Sequence, residues 1–175
     1  MSIKKITTLA LLLFCGLTLH SQAEAQDPND RSELKVNGLY LILGGLEVDY
    51  EYLLNEESSL GISAAFIFTD ETDYNWGITP HYRLFFGNEF AQGFFVEGNA
   101  ILFNYDYYGF EDILNGGDFT MENKTSGGLG LAIGGKFRTK RNVVVEIVGG
   151  VGRIFDDNSI DTVYPRFGIN IGKRF

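Results

Sequence analysis

Apolar residues occupy every second position over much of the chain. In the segment 46–54, the carboxylates Glu47, Asp49 and Glu51 alternate with apolar or aromatic residues. A helix would spread these carboxylates around its circumference, whereas a β-strand places them on one face. The same period of two recurs along the sequence, less regularly in the first, fifth and seventh segments, and it predicts eight strands. The predicted strands are 34–43, 46–54, 60–68, 74–86, 94–103, 128–138, 143–154 and 163–175.

The connections between the predicted strands differ in length on the two sides of the sheet. The segments 55–58, 87–91 and 139–142 are short, whereas the longest connection, 104–125, belongs to the other side. Short turns at one end and longer loops at the other are typical of a transmembrane β-barrel whose turns lie in the periplasm. The pattern predicts an all-β fold: an eight-stranded antiparallel up-and-down transmembrane β-barrel with a side-chain-filled lumen.

The polar face of the predicted strands is rich in glycine and carries charges of both signs. An eight-stranded barrel is barely wide enough for its own side chains, so small residues are expected inside it. The two signs nearly balance on this face, and charges withdrawn from water need partners, so we predict an ion-pair network in the lumen. Its predicted members are Lys35, Glu47, Asp49, Glu51, His81, Arg83, Glu97, Lys136, Arg138, Glu146, Arg166 and Arg174.

The opposite face is apolar in every predicted strand and has aromatic residues towards both ends. Aromatic rings prefer the two interfaces of a bilayer, so these residues are predicted to form two girdles. Near the short turns they are Tyr50, Tyr52, Tyr82, Phe86, Phe94 and Phe137, and near the long loops Phe66, Phe68, Tyr74 and Trp76. Alternation by itself also fits a soluble lipocalin-like barrel, in which the apolar face lines a ligand cavity.

Two prolines, Pro80 and Pro165, fall inside predicted strands. Each removes a backbone donor from the ladder, and a closed barrel has no free edge to accommodate the loss. We expect a bulge or a widened ladder at both positions.

The amino-terminal segment has the pattern of a secretory signal peptide. Lys4 and Lys5 precede an apolar run at 6–19, and a small-x-small sequence follows at 23–25. The predicted organisation is a signal peptide at 1–25, a short periplasmic lead-in at 26–32 and an outer-membrane barrel domain at 33–175.

Composition narrows the choice of partners and cofactors. The net charge of −9 argues against a nucleic-acid surface. One cysteine cannot form an internal disulfide, and two histidines leave little for a metal site. We therefore predict no nucleic-acid partner, no metal and no cofactor.

The last predicted strand ends on an aromatic residue, and apolar residues precede it on the same face. With this strand and its eight alternating segments, the chain resembles the small outer-membrane barrels of the OmpA transmembrane-domain and OmpX type. The resemblance implies a place in the outer membrane among lipopolysaccharide and recognition by the outer-membrane assembly machinery, but no particular activity. The assembly signal that it implies comprises Phe167, Ile169, Ile171 and Phe175.

Several functions are compatible with this architecture. His81 beside carboxylates could act as a general base in a lipid A-modifying hydrolase or acyltransferase, but its inward position favours a structural role. Acidic loops could bind a divalent cation. We expect a monomeric, non-enzymatic protein with a structural or surface-interaction role, whose loop 104–125 meets an envelope or extracellular protein. The alternatives are a lipid-modifying enzyme, a narrow channel and a soluble lipocalin-like ligand-binding barrel.

Overall fold

The computed structural model describes residues 30–69, 72–108, 121–155 and 162–175. These residues form eight strands, each antiparallel to the next, and β8 also pairs with β1 to close a barrel. The prediction of an all-β, eight-stranded, up-and-down barrel is confirmed. The elements are β1 (Ser32–Asn37), α1 (Gly38–Ile42), β2 (Gly45–Leu53), β3 (Ser58–Ile67), β4 (Tyr74–Phe85), β5 (Gly93–Tyr108), β6 (Met121–Arg138), β7 (Val143–Ile154) and β8 (Val163–Arg174).

Some of the predicted features involve residues outside these described ranges. The signal peptide, the first part of the lead-in, the segment 109–120 and the acidic segment 156–161 lie outside the described residues. Within the described ranges, no helix has both the length and the apolar character needed to cross a membrane.

The barrel has two distinct ends. The short connections 54–57, 86–92 and 139–142 lie at one end, which we call the turn end, with the start of β1 and the carboxyl terminus. The helix α1 lies at the opposite end, which we call the loop end.

The first strand is shorter than predicted, because β1 ends at Asn37 and α1 replaces the second half of the segment 34–43. The Asn37 side chain accepts a hydrogen bond from the backbone N–H of Leu39 and so caps the helix. Residues 39–43 are apolar without interruption, and no alternation opposes the change. Gly44, with a φ of +81°, then turns the chain into β2.

Strands β5 and β6 are longer than predicted. Their pairing continues as far as Tyr108 and Met121, so the prediction of a loop over 104–125 is wrong for 104–108 and 121–125. The alternation fails here because polar residues occupy both strands, and side-chain bonds support the pairing instead. The Asn104 Nδ2 atom donates to the Lys124 carbonyl over 3.0 Å, and Asn123 Nδ2 donates to Asp106 Oδ1 over 2.9 Å.

Pro165 faces the part of the barrel where β1 has already ended. Even-numbered residues at both ends of β8 bond to the β7 side, as Arg174 N does to the Asn142 carbonyl. Odd-numbered residues therefore point towards β1, as Phe175 does when its N–H donates to the Ser32 carbonyl. Since β1 pairs with β8 only from Asn170 onwards, the donor that Pro165 lacks has no strand to meet. The register with β7 continues through Pro165 without a bulge, contrary to expectation.

Pro80 has the predicted effect on its ladder. Pairing between β4 and β5 stops after Ile78 and resumes at His81, opposite Asn99, with the register unchanged. The interruption lies on the β5 side, whereas Pro80 remains paired with Ile62 of β3. The ladder is therefore interrupted at this proline without a shift.

Burial alternates along the strands, and the polar face is the buried one. In β4, for example, Thr79, His81 and Arg83 are buried, whereas Ile78, Tyr82 and other residues between them are exposed. Small apolar clusters occupy the interior at both ends. The turn-end cluster is Leu53, Phe85, Ala91, Phe95, Ala132 and Val148, and the loop-end cluster is Phe103, Ile154 and Tyr164. The charged side chains lie between them.

Candidate functional site: the charged interior

Arg83 lies at the centre of the interior with three carboxylates around it. Its Nε atom donates to Glu97 Oε2 over 2.8 Å, and its Nη1 atom donates to Glu51 Oε2 over 2.6 Å and to Glu146 Oε2 over 3.0 Å. The guanidinium also stacks on Phe95, 4.7 Å from the ring centroid. A cation shared by carboxylates from β2, β5 and β7 joins strands that are not neighbours in the sheet.

Two lysines extend this network towards β1. Lys35 Nζ contacts Glu51 and lies 3.0 Å from Glu146 Oε2 and 3.1 Å from Asp49 Oδ1. Lys136 Nζ donates to Glu51 Oε1 over 2.7 Å and to Glu33 Oε2 over 2.9 Å. Both lysine side chains are fully buried, so these carboxylates replace the water that an ammonium group loses on burial.

Two arginines of β8 complete the network in opposite directions. Towards the loop end, Arg166 Nη1 donates to Glu47 Oε1 over 2.8 Å and its Nε donates to Glu97 Oε1 over 3.1 Å. Towards the turn end, Arg174 Nε donates to Glu33 Oε1 over 2.7 Å. Its two Nη atoms donate to the carbonyls of Phe90 and Ala91 over 3.1 Å, which fixes the connection 86–92.

Neutral side chains take up remaining acceptor positions of the carboxylates. Ser59 Oγ donates to Glu51, Asn99 Nδ2 to Glu97 over 3.0 Å, and Asn170 Nδ2 to Glu146 over 2.8 Å. A buried ion pair is stabilising only when its other donors and acceptors are also satisfied. The interior is therefore filled by charged and neutral side chains that bond to one another.

His81 is less well bonded, and its Nε2 atom is one of five buried side-chain atoms of the described residues without a hydrogen-bond partner. Its Nδ1 atom lies 3.5 Å from the Thr79 carbonyl, and its Nε2 atom lies 3.6 Å from Asp49 Oδ2, beyond hydrogen-bond distance. Gly61 of β3 makes room for the ring, since a Cβ atom there would overlap His81 Nε2. Asp49, Glu51 and His81 form a buried group whose potential ligand atoms lie within 4.8 Å of one another.

The sequence matches, over residues 8–164, a family described as proteins of unknown function (DUF3575). The chain belongs to the DUF3575 family. No curated protein matches it. Among solved structures, the N-terminal β-barrel domain of Pseudomonas aeruginosa OprF is similar, with a TM-score of 0.53, 12% sequence identity and coverage of 83% of this chain and 98% of that one. At this identity the likeness shows a shared β-barrel fold and nothing about activity.

The interior of this DUF3575 barrel brings together ten of the predicted network residues in direct ion pairs. His81 lies beside them. Arg138 differs, because it is only partly buried near the turn end, where its Nη1 atom donates to Asn142 Oδ1 over 3.0 Å. Glu33 was missed, although it lies two residues before Lys35 and therefore on the same face of β1. The ten paired residues are Lys35, Glu47, Asp49, Glu51, Arg83, Glu97, Lys136, Glu146, Arg166 and Arg174.

Aromatic side chains on the outer face of the DUF3575 barrel lie near both ends, with one clear difference from prediction. Tyr74 packs against Phe103 of the loop-end cluster instead, with ring centroids 5.9 Å apart. A register irregularity between Tyr74 and Trp76 turns the tyrosine inward, and Trp76 is half-buried. The other residues predicted to form the aromatic girdles have exposed side chains. They are Tyr50, Tyr52, Phe66, Phe68, Tyr82, Phe86, Phe94 and Phe137. Phe167, Ile169, Ile171 and Phe175 of the predicted assembly signal are also exposed.

Side chains close the interior of the DUF3575 barrel at both ends. At the turn end the segment 86–92 folds over the lumen, where Ala91, with a φ of +46°, donates its N–H to the Glu56 carbonyl. At the loop end, Tyr164 OH donates to Asn99 Oδ1 over 2.6 Å, and its ring occupies space that a side chain at Gly152 would fill. A cavity of about 20 Å³, room for about one water molecule, borders Tyr164 near the loop end.

Proposed function

We propose that the DUF3575 chain is an integral outer-membrane β-barrel protein with a non-enzymatic structural or surface-interaction role. The observation that carries the proposal is the inverted polarity of the barrel, with charges inside and large apolar side chains outside. Every strand from β2 to β8 exposes such residues; on β6 alone they include Leu129, Leu131 and Ile133. A monomeric soluble protein rarely exposes a continuous apolar surface of this extent, whereas a bilayer requires it.

The same polarity favours a membrane barrel over a lipocalin-like carrier. A soluble carrier needs an apolar cavity for its ligand, but the interior of this barrel holds fully buried Lys35, Arg83 and Lys136 among their carboxylates. The interior cavity bordered by Tyr164 and Arg166 has a volume of about 20 Å³, which is too small for a lipid. A stable scaffold that presents its loop end to a partner is the role these features support.

The outer-membrane location rests on two features of the sequence. The signal-peptide pattern at 1–25 supports export, and the outward-facing Phe167, Ile169, Ile171 and Phe175 support recognition by the assembly machinery. The OprF-like fold agrees with that location. We propose lipopolysaccharide as its lipid environment and an envelope or extracellular protein as the partner of the loop end.

A non-enzymatic role is supported by the position of His81. Its side chain is fully buried, so a lipid substrate outside the barrel has no access to the imidazole. The test is His81→Gln in the producing cell, followed by analysis of lipid A. Unchanged acylation is expected, and a changed acyl pattern would favour the lipid-modifying enzyme instead.

Membrane insertion is tested by separating the membranes of the producing cell and by refolding the purified chain with and without detergent. We expect the chain in the outer-membrane fraction and folded only with detergent or lipid. A chain that stays folded and dissolved in detergent-free buffer would refute the proposal.

The partner is tested by photo-crosslinking in intact cells. A crosslinking residue at Glu122, exposed in the loop-end part of β6, should give a discrete protein adduct. The matched residue at Lys140, exposed in the turn-end connection, should not give that adduct. Identical adducts from both positions, or none from Glu122, would contradict a partner at the loop end.

A further inference from the structure

We propose that His81 and Asp49 are ligands of a divalent first-row metal ion, of which Zn²⁺ is the probe, inside the barrel. The starting observation is the orientation of the imidazole. Its Nδ1 atom faces the Thr79 carbonyl over 3.5 Å, and a neutral imidazole with its one ring proton on Nδ1 would donate it there. The lone pair of Nε2 then points towards Asp49 Oδ2, which is itself an acceptor.

Two acceptors that face each other in a buried interior repel unless a proton or a metal ion lies between them. The distance from His81 Nε2 to Asp49 Oδ2 is 3.6 Å. Two ligands of a tetrahedral ion with bonds of about 2.1 Å are separated by about 3.4 Å, close to the observed distance. Among the described residues His81 Nε2 has no hydrogen-bond partner, although its side chain is fully buried.

The surroundings hold both ligands in place. The Thr79 carbonyl lies behind His81, on the Nδ1 side, as a backbone carbonyl commonly does behind a metal-binding histidine. Ser63 Oγ donates to Asp49 Oδ2 over 3.1 Å. Gly61 leaves the space beside Nε2 that a Cβ atom would occupy. Imidazole and carboxylate together suit a borderline ion such as Zn²⁺ better than Ca²⁺ or Mg²⁺, which prefer oxygen ligands.

The charge balance of the interior also favours an added cation. The buried ion-pair network of the described residues contains six carboxylates, one more than its five lysine and arginine side chains. Glu51, the third member of the group, is already held by Arg83 and Lys136, so it contributes charge rather than a free ligand atom. Lys35 lies on the other oxygen of Asp49, Oδ1, and it keeps Glu51 and Glu146 as partners.

A small cavity lies close to the two ligands, on their loop-end side. The cavity of about 20 Å³ is bordered by Ser63 and Thr79, the two residues that support the ligands. Its size suits one water molecule, next to the residues that support His81 and Asp49.

The experiment is a calorimetric titration of Zn²⁺ into the folded chain in detergent, after treatment with a chelator. We expect one Zn²⁺ per chain, and we expect His81→Gln and Asp49→Asn to weaken binding by more than the roughly 10–100-fold that loss of an outer-shell partner costs. Glu122→Gln, which removes an exposed carboxylate of β6, is the matched control and should bind as the unaltered chain does.

A second measurement needs no variant and remains decisive if the substitutions prevent folding. In the ¹⁵N spectrum of the unaltered chain, Zn²⁺ should shift the Nε2 resonance of His81 and leave Nδ1 protonated. Three results would overturn the proposal: no stoichiometric binding, binding without a change at Nε2, or equal affinity in the folded His81→Gln variant.

Discussion

Replacing two outward-facing leucines with arginine, one at a time, distinguishes a membrane barrel from a soluble one by the loss of folding free energy. Leu131 and Leu60 both point outward, with 68% and 54% of their surface exposed. Leu131 lies seven residues from the turn end of β6, and Leu60 lies two residues from the turn end of β3. With a rise of about 3.3 Å per residue and a tilt of about 40°, they lie about 18 Å and about 5 Å above the turn end.

These heights place Leu131 near the middle of an apolar band about 25 Å tall and Leu60 near its edge. Leu131→Arg should therefore cost about 2–4 kcal/mol of folding free energy in a bilayer, and Leu60→Arg about 0–1 kcal/mol. The assay is reversible urea unfolding in phospholipid vesicles, followed by tryptophan fluorescence. If the outer face met water, both substitutions would lie within about 0.5 kcal/mol of the unaltered chain. Equal, small costs at the two positions would refute the membrane placement.

Three further predictions concern the interior and the helix cap. Arg83→Met leaves three buried carboxylates without their shared cation and should cost about 3–5 kcal/mol, measured by urea unfolding in detergent; a cost below about 1 kcal/mol would contradict the network. Gly152→Val overlaps the ring of Tyr164 and should cost about 1–3 kcal/mol in the same assay. Adding Tyr164→Leu should recover part of that loss, and a purely additive double variant would show that the ring is not the cause. Asn37→Ala removes the cap of α1 and the bonds of this buried side chain to Glu47, Phe167 and Ile169; it should cost about 1–2 kcal/mol, and an unchanged midpoint would contradict these contacts.

The two-residue period predicted the strands well where one face is continuously apolar. It failed at residues 39–43, where apolar residues occupy successive positions and leave the choice between strand and helix to the Asn37 cap. It also failed at Tyr74, because the register irregularity before Trp76 changes the face of every residue on one side of it. A local insertion of this kind leaves no mark in the hydrophobic pattern.

The sequence predicted which charges face the interior but not how they pair. Whether a residue faces the interior depends only on its position along its own strand. The contacts of Arg83 with Glu51 and Glu146, in contrast, cross the lumen between strands that are not adjacent. Such contacts depend on the stagger of all eight strands and on the length of each side chain. The unpartnered Nε2 atom of His81 belongs to the same class, since only the assembled interior shows which acceptor it meets.

The shortness of β1 determines how the cylinder is fastened. β1 pairs with β8 only from Glu33 to Asn37, whereas β7 and β8 pair from Val143 to Arg153. The backbone pairing that joins the first strand to the last is thus the shorter of the two pairings that β8 makes. Two buried charged residues of β1, Glu33 and Lys35, compensate for this short pairing. Their side chains form ion pairs in the lumen with residues of β6, β7 and β8. These ion pairs therefore reinforce the closure of the barrel. Because they are buried away from solvent, added salt should weaken them little.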